Sequence, residues 1–495
     1  MSAQTSTSTS NQRMCLPPEI WHYVGQYIPL EDLKRLYGVN LLFFDLSMDA
    51  MYRSIVFGNI NDLKIHQLDS LKDPKIACRV RSLSIPVNVE RNHYEKQEAA
   101  PRPPSSFEKA FRRLFRRTRQ VKPDPKQVER AAIAEMIAQV IPLMPNVERY
   151  TLSWSACSDP LPPYHEVAWR TFSPNLVDIA LTVNTALAPH IGILSSFKFP
   201  RLESLSIQID EDFKGPPTPW MKLVECQKTL ASFVSPSRST LKKLRMRSSL
   251  LPLAELYSPL PEFENLVVLG VEMTVHMEAG DARSFPILVI GKQASHLEEL
   301  DIRIGGDDDV RPIIQSFPCF CMKDLRIPKL TTLTISAQLL NTLEHEQQIA
   351  TFFRIHSSTL RILHIRGLWL ASNSVAHPGL ATVLDNSRAL TTLSLVSEYL
   401  QASHLGLLAS SLPQLERLTL NIEYVLSNTG SDAASPSDIF PKWHEVTDYM
   451  HPFVDDIKQD LSLQQWHLQD ITIQRQSCCG ILVLWGLMKL CRIHS

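Results

Sequence analysis

The sequence predicts an α/β chain in which a small N-terminal helical bundle precedes an irregular solenoid of stacked strand-and-return units, with a parallel sheet along its concave side. Three observations predict it. A six-residue string with apolar residues at positions 1, 4 and 6 recurs nine times between Leu176 and Leu420. A segment leading into one such string, Ala131 to Ile141, carries helical apolar spacing. A proline-punctuated stripe of helical period occupies residues 14–57, ahead of every copy.

Composition sets the outer bounds. With 495 residues, 44% hydrophobic and 20% charged, the chain can bury at least one large core, which excludes a mostly disordered protein. Fifty Lys+Arg against 51 Asp+Glu leave a formal charge of -1, excluding a globally basic nucleic-acid binder. Sixteen glycines against 34 prolines, with no Gly-x-Gly-x-x-Gly or Gly-x-x-x-x-Gly-Lys-Ser/Thr string, weigh against phosphate-loop architectures.

Residues 1–13 form a Ser/Thr/Gln tail, expected to be disordered, without the basic and then apolar segments of a secretory signal. No apolar run reaches the roughly 18 residues of a membrane span; the nearest is Cys478 to Met488. The nine cysteines are an odd number without framework spacing and read as reduced thiols. Cytoplasm or nucleus is the expected location.

Residues 14–57 run Leu16-Pro17-Pro18-Glu19-Ile20-Trp21, then Val24, Ile28, Pro29-Leu30, Leu33, Leu36 and Val39-Asn40-Leu41-Leu42-Phe43-Phe44. Pro17 and Pro18 can open a helix with Glu19 in its first turn, Pro29 interrupts it, and Leu33, Leu36 and Val39 continue the stripe, giving about three short helices. The segment resembles the F-box, and in particular the expanded F-box family of mushroom-forming fungi. Its opening Leu-Pro-x-Glu-Ile/Leu is matched at Leu16, Pro17, Glu19 and Ile20. Where that family has Val-Cys-x-x-Trp, this chain has Val39-Asn40-Leu41-Leu42-Phe43, an aromatic replacement that keeps bulk.

The repeats follow, over residues 76–475. Strong copies start at Leu176, Leu202, Leu241, Leu266, Leu297, Leu330, Leu360, Leu390 and Leu415, at intervals of 25 to 39 residues, and weaker ones at Val80, Val147 and Leu468. Positions 4 and 6 alternate inward on a short strand and position 1 anchors the incoming turn. One unit cannot cover its own apolar face, so neighbours must stack. The pattern resembles leucine-rich repeats. The family's Asn or Cys three residues beyond position 6 is missing, with Asp210, Glu398 and Glu423 in its place, so irregular turns are expected.

Positions 3, 5 and 7 should project from the concave face. Lys243, Arg245, His364 and Arg366 are the substrate-contact candidates. Arg247, Glu272 and Arg303 share one row on successive strands, where opposite charges can simply support the sheet.

Residues 101–130 interrupt the rhythm. From Arg102 to Arg130 ten Lys+Arg stand against three acids, and Phe107, Phe111, Leu114 and Phe115 lie at helical spacing opposite the arginines. This is either a surface insertion packed by its aromatic face or a binder of anionic membrane or nucleic acid; the former is favoured. Residues 427–441, rich in Ser, Asp and Pro, read as a flexible loop, and 476–495 as a C-terminal cap or tail.

Enzymatic chemistry finds little support. Cys319-Phe-Cys321 and Cys478-Cys479 lack a second pair at zinc-site spacing, His165-Glu166 and His345-Glu346 lack a histidine four residues on, and Gly305-Gly306-Asp307-Asp308-Asp309 lacks the later Glu of a calcium loop. No cofactor, metal or catalytic residue is expected. The F-box resemblance implies a non-catalytic substrate receptor. Its bundle would dock a Skp-type adaptor, and through it a cullin-RING ubiquitin ligase, using Leu16, Pro17, Ile20, Val24, Leu33 and Leu36, some of which must instead form the bundle's own core. The solenoid would hold the protein to be ubiquitylated. The alternative is a leucine-rich-repeat scaffold without ligase partnership.

Overall fold

A computed structural model describes residues 17–25, 27–57, 65–86, 134–154, 164–184, 192–210, 228–248, 260, 262–274, 290–305, 325–336, 351–366, 387, 389–400, 402–425, 455 and 466–475. Leu16, the tail, the basic segment 101–130, the segment 427–441 and residues 476–495 lie outside them. The chain divides into two compact units, residues 1–153 with 159–176 and residues 154–158 with 177–495.

The first unit begins with α1 (Pro18–Gly25), α2 (Leu30–Leu36) and α3 (Leu41–Tyr52). Strand β1 (Ser54–Val56) follows α3 directly and pairs in parallel with β2 (Ser82–Pro86), which pairs with β3 (Arg149–Trp154). A strand at 54–56 departs from the sequence expectation, which kept Ile55 in the helical bundle. The reason is that Tyr52, Ile55 and Phe57 act as positions 1, 4 and 6 of a degenerate string whose first residue is the last of a helix. Ile55 lies opposite Leu83, and Phe57 is 1% exposed.

The second unit carries ten parallel strands in sequence order: β4 (Asp178–Asn184), β5 (Ser204–Asp210), β6 (Lys243–Ser248), β7 (Val268–Thr274) and β8 (Glu299–Gly305), then β9 (Thr332–Ser336), β10 (Ile362–Arg366), β11 (Thr392–Leu400), β12 (Arg417–Val425) and β13 (Asp470–Arg475). Consecutive parallel strands joined by returning segments make the leucine-rich-repeat-like α/β solenoid that the periodicity predicts. The register does not slip: Ile179, Leu205, Leu244, Leu269, Leu300, Leu333, Leu363, Leu393, Leu418 and Ile471 stand opposite one another along the sheet. From Ile179 to Leu418 none of these position-4 side chains is more than 1% exposed. Return segments cover the other side of this core, with Phe352 and Phe353 from helix 351–356, and Leu405 and Leu408 from Ala402–Ser411, all buried.

Two sets of hydrogen bonds hold the strand entries, the second at four of them. The position-2 carbonyl of one unit accepts from the N–H groups of positions 2 and 3 of the next. Thus the Glu203 carbonyl takes Lys242 and Lys243 at 2.8 and 2.9 Å, and the pattern repeats through Glu416, which takes Gln469 and Asp470. The second ladder supplies what the missing turn asparagine would have given. The residue before position 1 donates a side-chain amide to a turn carbonyl of the preceding unit. Asn146 reaches Cys78 O at 2.7 Å, Asn175 reaches Pro145 O at 3.0 Å, Asn265 reaches Ser239 O at 2.7 Å and Gln414 reaches Ser387 O at 3.1 Å. At other turns, Gln293 Oε1 accepts from Phe263 N and His356 Nε2 accepts from Ile327 N, both at 2.9 Å. At each of these turns a side chain pairs a backbone group that the unequal return lengths would otherwise leave open.

Candidate functional site

Two surfaces stand out, one in each unit. In the N-terminal bundle, Asn40 caps α3, its side chain accepting from Phe43 N at 2.9 Å. Leu33 (3% exposed) and Leu46 (7%) form the inner contact, where buried Ser47 donates its hydroxyl to the Leu33 carbonyl at 2.7 Å. Gly25 lies against this contact, where a Cβ would meet the Leu46 methyl Cδ2 at 2.9 Å and oblige that side chain to shift. Trp21 stacks edge-on against Phe43, and Tyr37 meets Phe44, so the aromatic residues of the second half serve bundle packing.

Arg79 fastens α3 to the segment before β2, bonding Asp49 at 2.5 Å, Asp45 at 2.7 Å and the Asp45 carbonyl at 3.3 Å. Burial alone would lower its guanidinium pKa, but the hydrogen bonds and charges of both aspartates outweigh it and hold it above the usual arginine range. We expect Arg79→Ala to lower unfolding stability by about 1–2 kcal/mol, since partly buried charged hydrogen bonds are lost. A shifted urea midpoint checks this; Asp45→Ala made alongside should add little on top of it.

The outer face of the bundle is apolar. Ile20 (45% exposed), Tyr23 (59%), Val24 (36%) and Tyr27 (71%) follow i, i+3, i+4, i+7 spacing, and Leu30, Tyr37, Val39, Leu41 and Met51 are exposed as well. Of the thirteen large hydrophobic residues exposed among the described residues, nine therefore fall between Ile20 and Met51. Of the sequence candidates, Pro17 is exposed, Ile20 and Val24 lie on this face, Leu36 is half-buried, and Leu33 belongs to the inner contact. Tyr23, Tyr27, Val39 and Leu41 were not among the candidates, although the spacing of the first two with Ile20 and Val24 is readable in the sequence.

The concave face of the second unit is polar. Arg247, Glu272 and Arg303 are adjacent in register, with Arg247–Glu272 at 3.1 Å and Arg303–Glu272 at 3.8 Å. Arg303 also grips Asp301, 5% exposed, through two hydrogen bonds. Burial on its own would lower the Arg303 guanidinium, but those bonds and the charges of Asp301 and Glu272 raise it overall. Arg245 crosses the neighbouring strand to reach Glu299 at 3.0 Å. Gly270 permits this crossing, since a Cβ there would lie 2.8 Å from Arg245 Cγ. Arg245, Arg247, Glu272, Asp301 and Arg303, with Gly270 and Ser206, line a concavity of about 200 Å³.

Of the four contact candidates, Lys243 and Arg245 stand on this strand, both exposed. His364 is half-buried on β10, four strands away, and Arg366 lies in register with Ser336, its side chain outside the described ones. The structure brings the first two together and separates them from the second two. Among the described residues no group of three or more His, Cys, Asp or Glu side chains is placed to hold a metal ion, and no helix is long and apolar enough to cross a membrane.

No family model matches the chain, and no curated protein matches it. Among solved structures it is similar to the crystal structure of the Rad7 and Elc1 complex in yeast, with 17% identity over 58% of this chain and 66% of that chain and a TM-score of 0.34. It is also similar to the leucine-rich repeat-containing protein LegL7 from Legionella pneumophila, with 11% identity over 66% of this chain and 90% of that chain and a TM-score of 0.37.

Proposed function

We propose that this chain is a non-catalytic substrate-recognition subunit of a Skp-cullin-F-box type ubiquitin ligase, its N-terminal bundle docking the adaptor and its solenoid face holding the protein to be ubiquitylated. The observation that carries the reading is the apolar stripe of Ile20, Tyr23, Val24 and Tyr27 left in water on the same bundle that bears the Leu-Pro-x-Glu-Ile opening. Exposed apolar side chains concentrated in one small element mark a docking surface, and aromatic anchors at helical spacing suit a helix-lined groove. The polar concave face of the repeat sheet supports the second half of the reading, because it suits a folded partner or peptide.

The test is capture of a purified Skp-type adaptor by the whole chain. Ile20→Asp with Val24→Asp should abolish capture while the thermal transition stays, since both residues are already part-exposed. Leu33→Asp should instead unfold the bundle. Full adaptor recovery by a folded double variant would count against the proposal.

A further inference from the structure

We infer that the concavity over β5 to β8 is a subsite for a carboxylate side chain of an acidic peptide segment, taken between Arg245 and Arg247; the inference rests on reading the concave face as the one that holds the partner. Three arginines and two carboxylates line the hollow, an excess of one positive charge that stays the same when Lys243 and Glu299, two residues before Arg245 and Asp301 on their strands, are counted in. The pairs are not equivalent. Asp301 is committed to Arg303 in a nearly buried two-bond grip, and Glu272 is shared between Arg247 and Arg303. Both outer arginines, by contrast, are 53% exposed in their side chains, with one ion pair each among the described residues, to Glu299 and Glu272.

A guanidinium has five N–H donors, so each outer arginine keeps donors for an incoming oxygen. An ion pair to a half-exposed guanidinium contributes little, so Glu299 is a replaceable partner rather than a fixed one. The volume decides the size of the guest. About 200 Å³ admits one short side chain and falls below the roughly 300 Å³ at which drug-sized pockets begin. The Arg245 stem lies over Gly270, so a peptide backbone crossing β7 passes above that stem and brings its carboxylate beside the Arg245 guanidinium.

The experiment measures binding of a fluorescein-labelled hexaglutamate peptide to the whole chain by anisotropy, with hexalysine as the opposite-charge probe. Hexaglutamate should bind at about 50 mM salt and weaken at about 300 mM, because the attraction is screened. Arg245→Gln with Arg247→Gln should weaken it by about tenfold or more, and Glu299→Gln, which frees Arg245, should tighten it severalfold. Unchanged affinity in the folded double variant overturns the subsite, as does equal binding of hexalysine. Should the double variant lose its thermal transition, Glu299→Gln decides: no tightening overturns the inference. Adaptor capture by the bundle is a separate measurement, so failure of either reading shows independently.

Discussion

A Leu363→Asp variant should lose cooperative unfolding of the repeats around β10, whereas His364→Asp, one residue along, should keep it. Leu363 is fully buried between Leu333 and Leu393 in the position-4 row. Truncating such a leucine already costs about 2–5 kcal/mol, and an unpaired carboxylate in the same place adds several more. Against a domain stability of about 5–15 kcal/mol, that sum removes the local structure. Because each repeat is supported by its neighbours, β9 and β11 should be loosened with it. Hydrogen exchange in strands β9 to β11 is the readout. Equal protection in both variants would sink the register on which the whole concave face depends.

Acid should act through histidines that the fold keeps neutral. His165 is 1% exposed on helix Tyr164–Phe172, and burial lowers its pKa to about 3 from an ordinary 6.5. Burial also lowers His404, and it lowers His356 more than that residue's bond to the Phe352 carbonyl raises it. A histidine with a depressed folded pKa contributes its stability above the unfolded pKa, because below that value the unfolded chain takes the proton first. Its contribution is therefore complete above about pH 6.5 and falls as the pH drops toward 3, by up to about 5 kcal/mol for His165 at 1.4 kcal/mol per unit. Urea unfolding at pH 7, 5.5 and 4.5 should show steady loss. His165→Leu should reduce that slope by about one proton's worth, and an unchanged slope would remove His165 as a cause.

The repeat register was legible because it rests on a local rule. Alternation along a strand sends positions 4 and 6 to one side, so Leu363 and Ile365 could be named as core from the string alone. The row of Arg247, Glu272 and Arg303 followed from the same alignment, and their ion pairs are where the sequence put them. The weaker copies at Val80, Val147 and Leu468 also lead into strands β2, β3 and β13. Strand β1 escaped because its position 1 is Tyr52, the last residue of a helix, so periodicity changes from 3.6 to 2 within one string. The amide ladder escaped because Asn146, Asn175 and Asn265 sit outside the six-residue string that carries the periodicity.

What the sequence determined by itself was which residues form a face: the inward rows of the strands, the stripe of the bundle, and the order in which units stack. The tertiary structure alone decided what each face meets. Ile20 and Leu33 are both apolar residues at helical spacing, yet one is 45% exposed and the other 3%, because only the packing of α2 on α3 closes over Leu33. Likewise Arg245 finds Glu299 54 residues on, across a glycine of an intervening strand, a partnership that exists only once three repeats are stacked. Periodicity is a property of neighbouring residues, whereas burial and ion pairing depend on distances that folding creates between remote ones.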